Sequence, residues 1–198
     1  MKKILHICKY YSPDEGGIET VAKYLAEGLV GFQNTIVCFS TDGKNHMDNV
    51  NGIVVYRIAP AFKVFSQDVS FSYFFRLKKI IKAIVPDVIN IHCPNPFVYP
   101  LVMTLCPKDC KIVMLWHADI LAKGLMYRLI KPIESMALKR TDKIYATSPL
   151  YVHPSSPIYK YKDKVEILPN GIIEKNLKLR DGDNEKISEI KKRYGNRK

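Results

Sequence analysis

Ile4-Leu5-His6-Ile7-Cys8, followed by Lys9-Tyr10-Tyr11-Ser12-Pro13-Asp14-Glu15-Gly16-Gly17 and then by Ile18-Glu19-Thr20-Val21-Ala22-Lys23-Tyr24-Leu25-Ala26-Glu27-Gly28-Leu29, is the stretch on which the fold turns. The first run is apolar and strand-length, Pro13 and the paired glycines break it, and Val21, Leu25, Ala26 and Leu29 then recur at helical spacing, which predicts them inward. The reading is strand, loop, helix. Two adjacent glycines at that loop let backbone amides come close to a diphosphate, and a helix start adds partial positive charge; a plain tight turn explains the same residues. Neither G-x-G-x-x-G nor G-x-x-x-x-G-K-[ST] is present, which disfavours a dehydrogenase or a nucleotide hydrolase.

Outward from there the pattern repeats. Thr35 to Ser40 and Ile53 to Ile58 read as strands, with Asp42 to Asn51 between them as a polar loop and Pro60 as a stop. Phe71 to Val85 is helical and ends at Pro86; Val88 to Ile91 is a buried strand; Pro94 and Pro96 open a turn before a short helix, Phe97 to Leu105. Lys111 to Trp116 is a strand, Lys123 to Arg140 a helix kinked or broken at Pro132, and Lys143 to Thr147 and Val165 to Leu168 are the last strands. Continuous apolar strands alternating with helices predict an α/β, doubly wound, mostly parallel sheet with right-handed crossovers. Ligands bind such sheets at the carboxyl ends of the strands, so the loops after Cys8, Ile91 and Trp116 should share one rim. From Glu174 onward the composition turns polar, giving residues 1–173 as the domain and 174–198 as a linker with an exposed helix.

Composition narrows the function classes. The chain has 198 residues, 47% hydrophobic and 25% charged, which suits one globular domain with a core. Lys, Asp or Pro breaks every apolar run short of a membrane span, and Met1-Lys2-Lys3 leads into too short a run for a secretion signal, so the sequence reads as cytoplasmic. Four of the five cysteines sit in or beside apolar runs, as reduced core thiols do. Cys106-Pro-Lys-Asp-Cys110 has no second pair at ligand spacing, so no metal is expected. The net charge of +12 calls for an anionic partner. No nucleic-acid reader motif is present. Arg76-Leu77-Lys78-Lys79-Ile80-Ile81-Lys82 and the stretch Lys123 to Arg140 are basic and amphipathic, with Phe71, Phe74 and Phe75, and Leu125 to Ile130, near their apolar faces. Such helices lie on anionic lipid, or are simply core helices with a solvated basic face.

Trp116-His117-Ala118-Asp119 puts an imidazole and a carboxylate at the rim. A neutral His there can bond a sugar hydroxyl; a capping Asp beside an incidental His is the alternative. The other histidines, His6, His46, His92 and His153, read as structural, although His92 ends a strand near the rim.

Taken in order, the first strand with Pro13 and Gly16-Gly17-Ile18-Glu19, then Asp87-Val88-Ile89-Asn90-Ile91-His92, Trp116-His117-Ala118-Asp119-Ile120, Asp142-Lys143-Ile144-Tyr145-Ala146-Thr147-Ser148 and Ile167-Leu168-Pro169-Asn170-Gly171-Ile172, resemble glycosyltransferase family 4. The likeness covers about residues 1–175 and is to the N-terminal, acceptor-side domain of these retaining GT-B enzymes, nearest those that build bacterial surface polysaccharide, mannosyltransferases among them. There a His-Ser-Asp-Ile stretch stands where this chain has His117 to Ile120, with Ala118 in place of the serine. The resemblance implies a Rossmann-like half of a two-domain enzyme acting on a nucleotide-diphosphate sugar without a metal or other cofactor, with a lipid-linked saccharide or polysaccharide as acceptor. It implies that Gly16 and Gly17 approach the diphosphate, that Glu19 braces their loop through backbone hydrogen bonds, that His117 contacts the donor sugar, that Asp119 holds its loop, and that Asn170 and Gly171 belong to the interdomain junction. The family's second domain carries a Gly-Arg and Lys-Gly pair and paired glutamates for the donor. The sequence stops before them, so this chain alone is expected to be nearly inactive. A docking module that pairs with a separate catalytic chain is the alternative, and an unrelated small-molecule enzyme of the same fold class a third.

Overall fold

The computed structural model describes residues 1–14, 16–64, 67–120, 125–171 and 182–195. The chain runs β1 (Lys3–Ile7), α1 (Gly17–Gly28), β2 (Gln33–Phe39), β3 (His46–Val50), β4 (Ile53–Ile58), β5 (Phe62–Val64), β6 (Gln67–Val69), α2 (Tyr73–Ile84), β7 (Val88–Cys93), α3 (Val98–Leu105), β8 (Lys111–Trp116), α4 (Leu125–Arg140), β9 (Lys143–Ala146), two 3-10 segments (Pro149–Tyr151 and Pro157–Lys164), β10 (Val165–Ile167) and α5 (Asp183–Tyr194). Eight strands form one sheet in the order β10-β9-β8-β7-β1-β2-β4-β3, and β5 and β6 pair as a separate hairpin. Every neighbouring pair in the large sheet is parallel except β3 with β4. The order reverses at β1, whose flanks are β2 and β7, so the crevice expected of a doubly wound sheet opens beside the first strand.

Alternation along the central strands sorts the two faces. Leu5, Ile7, Ile89, Ile91, Ile112, Met114 and Trp116 point to one side and form the main core with Tyr73, Leu77 and Ile81 of α2, Val98, Tyr99 and Val102 of α3, and Ala137 and Leu138 of α4. The other face carries a smaller cluster in which Ala22 and Ala26 of α1 meet Ile36, Cys38 and Val55. The fully buried residues of α1 are therefore these two alanines, one turn apart, while the larger Val21 and Leu25 are half-buried. Small side chains bring the helix close to the strands; the large ones are left to line the grooves beside it.

Two expectations need correction. The segment Asp42 to Asn51 is not a loop throughout, because His46–Val50 pairs antiparallel with Ile53–Ile58. Asn51 and Gly52 join the two strands, both at positive φ (53° and 86°), the two-residue hairpin geometry that an Asn-Gly pair favours. Pro132 does not break α4, which runs on to Arg140. Its start at Lys123 lies outside the described residues. The helix after Phe71 ends as expected: Val85 takes the left-handed conformation (φ 52°, ψ 67°), its N–H bonds Ile81 O at 2.9 Å, and Pro86 cannot continue the turn. All five cysteines are free thiols, four of them buried. Of the expected tail, α5 buries no residue, and positions 172–181 lie outside the described residues.

Candidate functional site at the strand ends

Because β1, β7 and β8 are adjacent and parallel, their C-terminal loops lie side by side. The ladder continues past the strands: His117 N–H bonds Cys93 O at 3.2 Å, and Thr147 bonds Trp116 O through both its N–H (3.1 Å) and its hydroxyl (3.2 Å). These bonds extend the ladder of the sheet into the start of the loops after β8 and β9.

The glycine loop after β1 is held from beneath by Arg57 of β4. This guanidinium, only 5% exposed, donates to the carbonyls of Tyr11 (3.2 Å) and Ser12, and pairs with Asp48 of β3 and with Asp14 (3.5 Å) in the loop itself. Thr41 adds a bond to Asp14 at 3.1 Å. On the other side the Tyr10 hydroxyl donates to the buried Asp68 of β6, and Lys63 of β5 lies 3.8 Å from the same carboxylate. The loop then delivers Gly16 and Gly17 to the start of α1, where among the described residues no side-chain cap hydrogen bond is made. Such a helix start suits an anion by charge and by hydrogen bonding. Gly16, Gly17 and Glu19 line one open groove with Ser12, Lys23 and Tyr24. Glu19 packs its carboxylate against Gly16, so closely that a Cβ on Gly16 would collide with it. Among the described residues Glu19 reaches the loop through this contact, and no side chain hydrogen-bonds to cap the helix. Asn170 and Gly171 line an adjoining groove with Val21, Leu25, Leu115 and Leu168, and Tyr24 belongs to both grooves. The structure therefore brings the glycine pair and the expected junction together around one side of α1.

His117 and Asp119 share a loop but have different partners. Asp119 Oδ1 accepts from Trp116 Nε1 at 2.7 Å and from the Ser156 hydroxyl at 3.1 Å, which ties the loop to the end of β8 and to the second 3-10 segment. His117 turns the other way, toward His92, and its Nε2 lies 3.2 Å from His92 Nδ1 with the rings stacked 5.5 Å apart. Burial holds His117 down to about 4, so the ring is neutral at physiological pH. His6 is likewise held to about 4 by burial, and His92 is pushed well below its usual value by burial and then by the other two rings.

Two groups escaped sequence reasoning. His6 and His92 were read as structural, yet with Asn90 they connect His117 to the interior of the sheet. The visible signal was polar residues at every second position of otherwise apolar strands. Glu134 of α4 is 1% exposed, has Oε1 without a partner, and is pushed up to about 7 by burial and then by the charge of Asp119. It faces a cavity with Tyr127, Lys131, Ser156 and Lys160. Nothing in the spacing of a basic helix marks one glutamate as buried. Among the described residues no three His, Cys, Asp or Glu side chains are grouped to hold a metal ion, and no helix is long and apolar enough to cross a membrane.

The rim of this Rossmann-like sheet thus carries the Gly-Gly helix start and the neutral ring of His117 at the ends of neighbouring strands. Residues 15–175 match Glycosyltransferase Family 4, and the chain belongs to that family. It is 32% identical over 173 residues to O-antigen chain mannosyltransferase C of Escherichia coli, covering 86% of this chain and 46% of that protein. It is 31% identical, over 86% of its length and 45% of the other, to D-rhamnosyltransferase WbpZ of Pseudomonas aeruginosa. The chain thus spans a little under half the length of these curated relatives. Among solved structures, sucrose-phosphate synthase from Thermosynechococcus elongatus superposes with a TM-score of 0.65 at 13% identity, over 95% of this chain and 53% of that one, a likeness of fold.

Proposed function

We propose that this chain is the acceptor-side half of a retaining hexosyltransferase of surface-polysaccharide synthesis. The full enzyme moves a sugar from a nucleotide-diphosphate donor to a lipid-linked saccharide or polysaccharide at the cytoplasmic face of a membrane. The observation that carries the reading is the placement on one rim, at the ends of neighbouring strands, of a helix start without a side-chain cap among the described residues, at Gly16 and Gly17, and of the neutral ring of His117. Two relatives named for mannosyl and rhamnosyl transfer support a sugar donor of that class.

In this reading the first-turn amides of α1 meet the diphosphate, His117 bonds a hydroxyl of the donor sugar, and Asp119, held by Trp116 and Ser156, keeps that loop in place. Glu19 sets the path of the glycine loop, and Asn170 and Gly171 lead toward the second domain. The acceptor attacks from the same face that the leaving group departs. The cations that take up the developing phosphate charge belong to the family's other domain, so no metal or further cofactor is required of this half.

The basic helix α2 adds the membrane. Phe71 and Phe75 are 77% and 72% exposed beside exposed Arg76, Lys78, Lys79 and Lys82, a combination suited to anionic lipid and to an acceptor's phosphates. The test is a transfer assay on this chain joined to, or mixed with, a family second domain, using a panel of nucleotide sugars and lipid-linked acceptors. His117→Ala should cut turnover about a hundredfold. Full activity in that variant would remove His117 from the site.

A further inference from the structure

Five polar side chains cross the α1 face of the sheet from β2 to the rim, and the chemistry at one end dictates the protonation at the other. Asn34 donates its Nδ2 to the Leu29 carbonyl at 3.2 Å, which leaves Oδ1 as the atom facing His6 Nε2 at 3.1 Å. A carbonyl oxygen only accepts, so His6 must carry its proton on Nε2 and leave Nδ1 bare. Bare His6 Nδ1 lies 3.1 Å from Asn90 Nδ2, which donates one hydrogen to it, and the second hydrogen of the same amide points to His92 Nε2 at 3.4 Å. His92 Nε2 is then an acceptor, its proton sits on Nδ1, and that proton goes to His117 Nε2 at 3.2 Å. One proton position remains on His117, its Nδ1.

Turning the Asn90 amide round does not rescue the opposite arrangement. Its oxygen would then need a proton from His6 Nδ1, His6 Nε2 would become bare, and Asn34 would have to turn as well and oppose its own oxygen to that of Leu29. All three rings are 9% exposed or less, so water is poorly placed to relieve a mismatched link. Asn90 Oδ1 is buried without a partner, the cost the network carries for presenting both amide hydrogens to imidazoles.

We infer that Asn34, His6, Asn90 and His92 act as positioning residues that lock His117 in its Nδ1–H tautomer, so that the ring meets an incoming oxygen as a hydrogen-bond donor. The rim at His117 accordingly selects a hydroxyl or other oxygen acceptor and rejects a group that can only donate. The consequence for sugar transfer rests on the proposed transferase function, whereas the tautomer itself does not.

The experiment is a two-bond 1H–15N correlation spectrum of the 15N-histidine-labelled chain at pH 7, with His46 and His153, which lie outside the relay, changed to Gln. Three rings should give two Nδ1–H patterns and one Nε2–H pattern, and His117→Gln should remove one of the Nδ1–H set. An Nε2–H pattern for His117, or averaging between the two forms, overturns the relay. Asn90→Asp supplies a second reading, because a carboxylate accepts from both neighbours and should reverse the direction, moving His117 to Nε2–H. A folded Asn90→Asp chain in which His92 is neutral and His117 keeps Nδ1–H also overturns it, and if that variant fails to fold, or its spectrum shows His92 doubly protonated, the unsubstituted spectrum decides alone. In the transfer assay the reversed tautomer should cost about tenfold in kcat. If the spectrum is as expected but His117→Ala transfers sugar at full rate, the relay stands and the transferase assignment of His117 falls.

Discussion

Acidification from pH 6.5 to 5 should destabilise this protein steeply, and the cause lies in four buried groups. His6 and His117 are held at about 4 in the folded chain against 6.5 when free, and His92 is lowered further, all chiefly by burial. A histidine whose folded pKa is depressed binds its proton only on unfolding, so its contribution is present above 6.5 and is lost as pH falls toward 4. Glu134 works in the opposite sense: its folded value is raised from 4.5 to about 7, so it favours the folded state below 4.5, and that advantage is lost as pH rises through 7. Between pH 5 and 6.5 the unfolded chain takes up protons at three rings while the folded chain holds one extra at Glu134. The net difference falls from about two protons at pH 5 to under one at pH 6.5, or about 2 kcal/mol per pH unit on average. Stability should therefore go on rising gently above pH 6.5 and level off near pH 7.5, where the two opposing contributions cancel. Urea unfolding followed by far-UV circular dichroism at half-unit steps from pH 5 to 8 measures this directly. Glu134→Gln removes the opposing proton and should steepen the rise between pH 5 and 7 by about 1 kcal/mol per pH unit. A midpoint that stays constant from pH 6.5 to 5 would show that the three rings are not buried neutral, and the reasoning would fail at its first step.

Other substitutions probe separate parts of the molecule. Arg57→Met removes the partner of Asp48, Asp14 and two loop carbonyls and should cost about 3–5 kcal/mol in urea unfolding, with Arg57→Lys recovering only part because a point charge cannot make the forked contacts. Val85→Asn relieves a β-branched residue at φ 52° and should gain about 1 kcal/mol by thermal unfolding, with no effect on any ligand. An added Cβ at Gly17 meets nothing within 4 Å, so Gly17→Ala should leave the melting temperature unchanged or raised; loss of transfer in that variant would place a ligand against the glycine. Lys78→Glu with Lys79→Glu on the exposed side of α2 should weaken sedimentation with anionic vesicles at low salt by at least tenfold, each lysine near the surface contributing about 1 kcal/mol. Equal binding to neutral and anionic vesicles would instead remove the membrane from the proposal.

The large sheet was legible because its strands are short continuous apolar runs separated by helical patterns, and the three rim loops followed from that alone. The hairpin through His46–Val50 was missed because an edge strand with exposed polar residues lacks the apolar run, although Asn51-Gly52 marked the turn. Of the inward set read on α1, Ala26 is buried and Val21, Leu25 and Leu29 are half-buried; Ala22 joins the buried face although hydrophobic spacing favours the larger side chains. His117 could be placed at the rim from the end of its strand. Its connection to His92, His6 and Asn34 could not, because those bonds join residues 25 and 84 positions apart and exist only once β7 lies between β1 and β8. Periodicity reports which way a side chain points, but strand order decides what it meets.

The bond between Arg57 and Asp48 makes the outermost strand a ruler. Asp48 stands opposite Val55 and so reaches Arg57 diagonally on the same face, and sliding the hairpin by one residue would turn Asp48 to the opposite face. Residues added to the turn around Asp42 lengthen a surface loop at little expense. A single residue inserted within His46–Val50 would unseat the guanidinium that sets the height of the glycine pair, so a strand remote from the rim dictates the gauge of its opening.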